Sequence, residues 1–261
     1  MLFSKILKKY SKTVKQDAYF NPYRGMNILY KIFLQGKNCL FPGDCALCGG
    51  ALIYPDEILL GLCEDCLASI NSETAKKCAV CGKPLISEAG TCLSCRDSKH
   101  SFDRLWTVFP YTGKYRKLLA AYKFEKKLPL ADFFAERIAE VIRGEPLLEK
   151  AVIIPVPPRP GKIKTTGWDQ VECLVKRLEK HLPGAVVSRC LKRSKSKVQK
   201  ELNRNDRLNN LKGRILLNGS APGTALVIDD VMTTGSTMEV CSAALKDSGA
   251  QKVYGLCMFY G

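Results

Sequence analysis

Residues 225–238 read Ala-Leu-Val-Ile-Asp-Asp-Val-Met-Thr-Thr-Gly-Ser-Thr-Met, and the order of residue types in this stretch decides the fold. Ala225–Ile228 is a short apolar run of the kind that forms a strand buried on both faces. Asp229 and Asp230 follow at the point where open α/β sheets hold their ligands, the carboxyl ends of the strands. Thr233, Thr234, Gly235, Ser236 and Thr237 then offer hydroxyls and unobstructed backbone N–H groups in a tight turn. A helix from Ser236 to Asp247, ended by Gly249, aims its dipole and its free N–H groups at an anion in that turn. The plainer reading is an acidic turn that caps a helix through Ser236 or Thr237. It explains a hydroxyl but not paired aspartates behind a buried strand.

Outward from this stretch the pattern repeats. Leu105–Pro110, Ala151–Val156, Val186–Ser188 and Lys252–Phe259 read as strands. Gly113–Phe124, Leu130–Arg143 and Asp169–Lys180 carry apolar residues at helical spacing. Pro155, Pro157 and Pro158 stop the second strand. Strands alternating with helices over 101–261 predict an α/β fold with a mainly parallel, doubly wound sheet.

Ahead of it, residues 39–98 are organised by cysteine. Eight of the thirteen form four C-x-x-C pairs: Cys45/Cys48, Cys63/Cys66, Cys78/Cys81 and Cys92/Cys95. A two-residue gap lets both thiolates of a knuckle face one metal ion, and disulfide frameworks lack such regular pairing. The charged start, Met1-Leu-Phe-Ser-Lys-Ile-Leu-Lys-Lys, does not read as a secretory leader, which favours a reducing, cytoplasmic setting. Tetrahedral Zn²⁺ on four thiolates is therefore expected, at one or two structural sites with no open position. A segment this small has too little core to fold without the metal. An iron–sulfur cluster or redox-active pairs are the competing readings. Cys39, Cys173, Cys190, Cys241 and Cys257 stand alone and read as inert thiols. His100 and His181 read as surface residues.

The net charge of +16 lies in two blocks. Residues 1–37 hold eight Lys/Arg against one acid, and residues 159–214 hold sixteen against five. Residues 1–38 form a basic N-terminal segment without a clear packing face, and Met26 stands in it as an alternative first residue. Concentrated positive charge suits a polyanion, whose phosphates release counterions on neutralisation. A solvated surface, or a site for one small phosphorylated ligand, accounts for it equally well. Trp168 is the only aromatic residue in 159–214, which is sparse for a single-strand stacking platform. No apolar run reaches the roughly 18 residues of a membrane span.

Val227-Ile-Asp-Asp-Val-Met-Thr-Thr-Gly-Ser-Thr237 resembles the signature of type I phosphoribosyltransferases. With the upstream ribbons, the resemblance narrows over 39–261 to the ComF family of competence-associated proteins. Pro155-Val-Pro157 and Gly167-Trp168-Asp169-Gln170 are similar to two of its blocks. Gln199, Leu202, Arg207, Asn210 and Gly213 fall in the register of a third, and Lys123 matches a lysine at an early helix end. Thr166, Trp168 and Asp169 depart from the family's Arg, Phe and Asn, and Lys162 and Lys164 are candidates to replace the lost arginine charge.

The resemblance implies a type I phosphoribosyltransferase-like domain binding 5-phosphoribosyl-1-pyrophosphate (PRPP) with Mg²⁺. Val231, Met232, Thr233, Thr234, Gly235, Ser236 and Thr237 would hold the 5-phosphate. Asp229 and Asp230 would hold the ribose hydroxyls and serve as the catalytic pair. Lys123, Pro157, Arg193 and Arg207 are candidates for the pyrophosphate or an acceptor, which no residue identifies. Gln199 and Asn210 read as shaping their segment, and Trp168 as a base-stacking residue or a core anchor. Two functions follow: phosphoribosyl transfer, or binding of single-stranded DNA without turnover, beside a helicase-like partner. A protein-interaction scaffold built on the ribbons is a third.

Overall fold

The computed structural model describes residues 27–40, 42–70, 76–194 and 215–261. Helix α1 (Ile28–Leu40) leads into the cysteine region, where α2 (Pro55–Leu60), α3 (Glu64–Ser69) and α4 (Leu93–Arg96) are short turns of helix between knuckles. The rest alternates as the apolar spacing dictates. Strand β1 (Arg104–Pro110), α5 (Gly113–Lys123), α6 (Pro129–Gly144) and β2 (Val152–Pro155) come first. They are followed by α7 (Lys162–Thr166), α8 (Gln170–His181), β3 (Leu191–Arg193), β4 (Ile215–Leu217), β5 (Thr224–Met232), α9 (Ser236–Asp247) and β6 (Lys252–Tyr260).

Four strands form one sheet in the order β1-β6-β5-β2, with every neighbouring pair parallel. The fold is thus α/β with a parallel sheet, as the alternation predicts. Val187 makes only a single parallel bridge to Ile153 where a short strand was expected. Strands β3 and β4 pair antiparallel outside the main sheet.

Side chains alternate across a strand, so each face of the sheet acquires its own core. Leu226, Ile228, Tyr254, Leu256 and Ile153 point into one core with Leu118, Tyr122, Leu130, Phe134, Ile138 and Leu174 of α5, α6 and α8. Ala225, Val227, Val253, Cys257 and Ile154 point into the other, with Met238, Val240, Cys241 and Leu245 of α9. The sheet is covered on both faces.

The two halves of the cysteine region divide between these faces. Cys45, Leu52, Leu60, Leu62 and Ile70 of the first ribbon join the α5–α6–α8 core. Cys78, Cys81, Cys92 and Cys95 of the second join the α9 core. The second ribbon also closes the exposed edge of β1. Leu105 N–H donates to Val80 C=O (2.8 Å), Thr107 Oγ1 to Gly82 C=O (2.7 Å) and Lys77 Nζ to Thr107 C=O (2.5 Å). An open edge strand invites pairing with other chains, and these contacts remove that edge.

Two expectations need correction. Neither histidine is a surface residue. His181 sits in the last turn of α8 on the side facing α6, with Nδ1 2.5 Å from Glu136 and Nε2 3.9 Å from Asp132. His100 is also largely covered, with a side-chain exposure of 18%. A histidine's polarity says nothing about the buried carboxylates that tertiary packing brings to it.

Candidate phosphate site and metal centres

Strand β5 runs two residues beyond Asp230, so the acids lie within the strand rather than after it. β2 stops where Pro155 pairs with Ile228, and from Asp229 onward β5 is paired by β6 alone. Val156 N–H donates to Ile228 C=O (2.9 Å), which brings the buried Pro157 to the same sheet edge as the acids.

Alternation along β5 gives the two acids different surroundings. Asp230 shares the face of Leu226 and Ile228, where Lys123 at the end of α5 donates to Oδ2 (2.9 Å) and Gln170 Nε2 donates to the same oxygen (2.7 Å). Burial raises the Asp230 pKa, but the Lys123 charge and both hydrogen bonds outweigh it and hold the carboxyl below its ordinary value. Asp229 shares the other face. Burial, then the neighbouring Asp230 charge, push it well above its ordinary value, and its Oδ1 accepts from Asp230 N–H (2.8 Å).

The turn after Met232 is built for a close approach. Gly235, not Ser236 or Thr237, is the N-cap of α9, at φ 74° in the left-handed region that favours glycine. A β-carbon there would also crowd Met232 Cε at 3.1 Å. Thr234 Oγ1 and Ser236 Oγ lie 2.8 Å apart, Ser236 is buried and Thr233 is exposed. Asp229 and Thr233–Thr237 line a cavity of about 30 Å³ with Cys257 at its base. A larger cavity of about 840 Å³ extends from the same turn to the second ribbon, with Lys83, Lys99 and His100 on its far wall. The turn is open toward the α9 face, and only Asp229 of the two acids lines it.

Behind Asp230 a polar network stretches to the start of α8. Asp169 caps that helix by accepting from Val171 and Glu172 N–H (both 3.0 Å), and Lys162 Nζ donates to Asp169 (2.7 Å) and to Gln170. Lys162 is therefore engaged in the helix cap, while Lys164 is exposed. Trp168 packs edge-on against Tyr122 with ring centroids 5.3 Å apart, in the manner of a core anchor. Arg193 lies on β3, and its charge bears on Cys241 of α9. Arg207, with Gln199, Leu202, Asn210 and Gly213, lies outside the described residues.

Sequence reasoning gave no role to Gln170 in this network, although it closes the block that carries the family resemblance. It also missed Glu239, whose place in the first turn of α9 reads as ordinary helix-dipole chemistry.

The cysteines assemble as two tetrads, Cys45/Cys48/Cys63/Cys66 and Cys78/Cys81/Cys92/Cys95, each with its sulfurs within 4.8 Å of one another. Cys48 and Cys63 sulfurs are 3.7 Å apart, and so are those of Cys81 and Cys92. Four thiolates about 2.3 Å from a tetrahedral Zn²⁺ would be separated by roughly 3.8 Å, so both sets fit that ion. Cys45 and Cys78 hold equivalent places in the two knuckles. Burial opposes ionisation of each, but surrounding backbone N–H groups outweigh it and lower both pKa values to about 6. Among the single cysteines, Cys241 is pushed up to about 12 and Cys257 well above its ordinary value, in each case chiefly by burial.

Residues 37–96 match the family model described as "Double zinc ribbon domain". Over 202 residues, 74% of this chain and 87% of the relative, the chain is 28% identical to "Competence protein F" of Haemophilus influenzae. It is 28% identical over 225 residues to "DNA utilization protein YhgH" of Salmonella typhi, covering 83% of this chain and 96% of that one. With "Competence protein ComFC" of Streptococcus pneumoniae the identity is 25% over 221 residues, 80% of this chain and 96% of the relative. Among the described residues, no helix is long and apolar enough to cross a membrane.

Proposed function

Because the chain belongs to the ComF family, we propose that it acts in the uptake or utilisation of DNA, binding single-stranded DNA without turnover. The names of its relatives support this reading, and so does the excess of cations over 159–214. On this reading Thr233–Thr237 grip a sugar phosphate at the N-terminus of α9, with Asp229 beside it. The observation that carries the absence of turnover is the engagement of Asp230. Its carboxylate already accepts from Lys123 and Gln170, on the face away from the open turn, so it is not free for a ribose. The test is single-strand affinity across salt. Neutralised phosphates make log K fall linearly with log salt, at about −0.7 per phosphate contacted. A flat salt response, or no affinity at low salt, sinks the reading.

One observation favours a second reading, phosphoribosyl transfer from Mg²⁺·PRPP. Both acids and every hydroxyl of the family's loop are present and lie at one sheet edge. Mg²⁺ would arrive on the phosphates, since it keeps several waters and needs few protein ligands. Lys123 would have to leave Asp230 for the pyrophosphate. Thermal stabilisation by Mg²⁺·PRPP reports binding, because a ligand of the native state alone raises stability by mass action. Asp229→Asn combined with Asp230→Asn should remove that stabilisation and leave two zincs per chain. Pyrophosphate release in an acceptor screen would replace the first reading with the second.

A further inference from the structure

Five residues beyond the last ligand of the second tetrad, His100 bridges the ribbon and α9. Its Nε2 lies 3.4 Å from Cys95 Sγ, and its Nδ1 lies 3.3 Å from Glu239 Oε2. The ring is held flat against Phe102, with centroids 4.6 Å apart and planes 15° from parallel. Glu239 Oε1 accepts from both Ser101 N–H and Ser101 Oγ–H at 2.7 Å. The Glu239 backbone N–H in turn donates to the carbonyl of Gly235, the N-cap of the phosphate turn (2.8 Å). Three contacts thus link a metal-binding thiolate to the cradle: sulfur to imidazole, imidazole to carboxylate, and the Glu239 N–H to Gly235, while Ser101 anchors the carboxylate.

We propose that His100 is an outer-sphere partner of the second zinc site and that Glu239 is a positioning residue. Together they make zinc in the second tetrad and an anion in the Thr233–Thr237 turn stabilise each other. The second half of this rests on the phosphate-binding reading of the turn. Four thiolates on one Zn²⁺ carry two excess negative charges, and a His100 ring that carries a proton on both nitrogens donates Nε2–H to the sulfur and Nδ1–H to Glu239, which disperses that charge and fixes the ligand's orientation. Outer partners of this kind are worth about 10–100-fold in metal affinity. The first tetrad has no histidine equivalent: the chain contains two histidines, and the other, His181 of α8, is bound to Glu136 of α6. The asymmetry supplies an internal control. Coupling between two bound species is reciprocal, so any gain in anion affinity from zinc must reappear as an equal gain in zinc retention from the anion.

The experiment uses the full chain with both zincs loaded, challenged by a chelator while native mass spectrometry counts the zincs left. Thiol alkylation maps which cysteines open. His100→Phe keeps the stacking on Phe102 and removes both ring nitrogens, and Glu239→Gln keeps the size and removes the charge. Each variant should lose one zinc about 10–100-fold more readily than the wild type, with alkylation confined to Cys78, Cys81, Cys92 and Cys95. Saturating inorganic phosphate should slow loss of that same zinc in the wild type and leave the other untouched. In Glu239→Gln the slowing should vanish although calorimetry still detects phosphate binding, an outcome that loss of packing alone would not give. Wild-type zinc release in both variants, or alkylation at Cys45–Cys66, overturns the outer-sphere role whatever the turn binds. Equal slowing by phosphate in wild type and Glu239→Gln overturns the coupling. If phosphate does not bind the wild type at all, the reading of the turn fails and the coupling with it, while the zinc-release arm still decides the role of His100.

Discussion

The sheet presents one ribbon and one acid to each face, and the two sets differ in what surrounds them. On the α5–α6–α8 face the first ribbon leaves Cys48 exposed and Cys63 and Cys66 half-buried, and Asp230 is paired. On the α9 face all four ligands of the second ribbon are buried, and Asp229 lines an open turn, with no ion pair to it among the described residues. The knuckle glycines make the contrast sharpest. Gly49 and Gly82 each follow the second cysteine of their knuckle, at φ 74° and 68°. Nothing lies within 4 Å of where a Gly49 β-carbon would be, whereas one on Gly82 would be 2.8 Å from Leu105 O and 3.0 Å from Thr107 N. The same local motif is free on one face and wedged against the β1 backbone on the other. Local chemistry made the ribbons alike, and docking made them different.

Metal loss should break the comparison most strongly. Structural zinc contributes on the order of 10 kcal/mol to the folding of its own segment. Cys45→Ser and Cys78→Ser should each lose one zinc, counted by native mass spectrometry. Only Cys78→Ser should also unseat β1 and the turn, seen as lost amide protection along 104–110 and 233–239 in hydrogen exchange. Equal loss of protection in the two variants would mean that both ribbons support the sheet alike. Next in size is the glycine pair. Alanine at either position has to adopt a left-handed backbone at about 1–2 kcal/mol. Gly82→Ala adds a backbone clash, for which overpacking costs of about 1–3 kcal/mol are typical. Thermal melts should therefore place Gly82→Ala several degrees below Gly49→Ala, and the gap measures docking alone. Coincident melts would show that the second ribbon yields without cost.

The extent to which this was legible in sequence follows the range of the interactions. Periodicity located β1, α5, α6, β2, α8, α9 and β6 to within a residue or two, because burial on a strand or helix repeats locally. The tetrads were legible because metal geometry dictates the spacing of C-x-x-C. Asp229 and Asp230 were visible as a pair, yet their separation onto opposite faces was not. It depends on β5 continuing past them, and that is set by pairing with β6 rather than by any residue of the loop. His100 and Glu239, far apart in the chain, were illegible for the same reason: nothing local marks a contact that only packing of the second ribbon on α9 creates.

The smallest expected effect concerns the two acids, and it has opposite signs on the two faces. Asp230→Asn keeps one oxygen as an acceptor but removes the charge that Lys123 Nζ and Gln170 Nε2 both address, and leaves Lys123 without its carboxylate. A loss of about 1–3 kcal/mol is expected, toward the low end because Lys123 is partly exposed. Asp229→Asn keeps the acceptor for Asp230 N–H but removes a buried charge beside another of the same sign, so at a pH where Asp229 is ionised it should stabilise by about 1 kcal/mol. The pH dependence separates them further. A carboxyl whose folded pKa is depressed, like Asp230, contributes stability above its unfolded value that is lost as pH falls through the folded one. One whose folded pKa is raised, like Asp229, does the reverse: it costs stability while ionised, and lowering the pH through its folded value relieves that cost. The advantage of Asp229→Asn over the wild type should thus shrink as pH is lowered through that raised folded value, while the deficit of Asp230→Asn holds until about pH 4, the ordinary range of a free aspartate. If Asp229→Asn melts below the wild type at a pH above the raised folded value of Asp229, the α9-face acid already has a cation partner, and the contrast between the faces fails at the site where it bears on ligand binding.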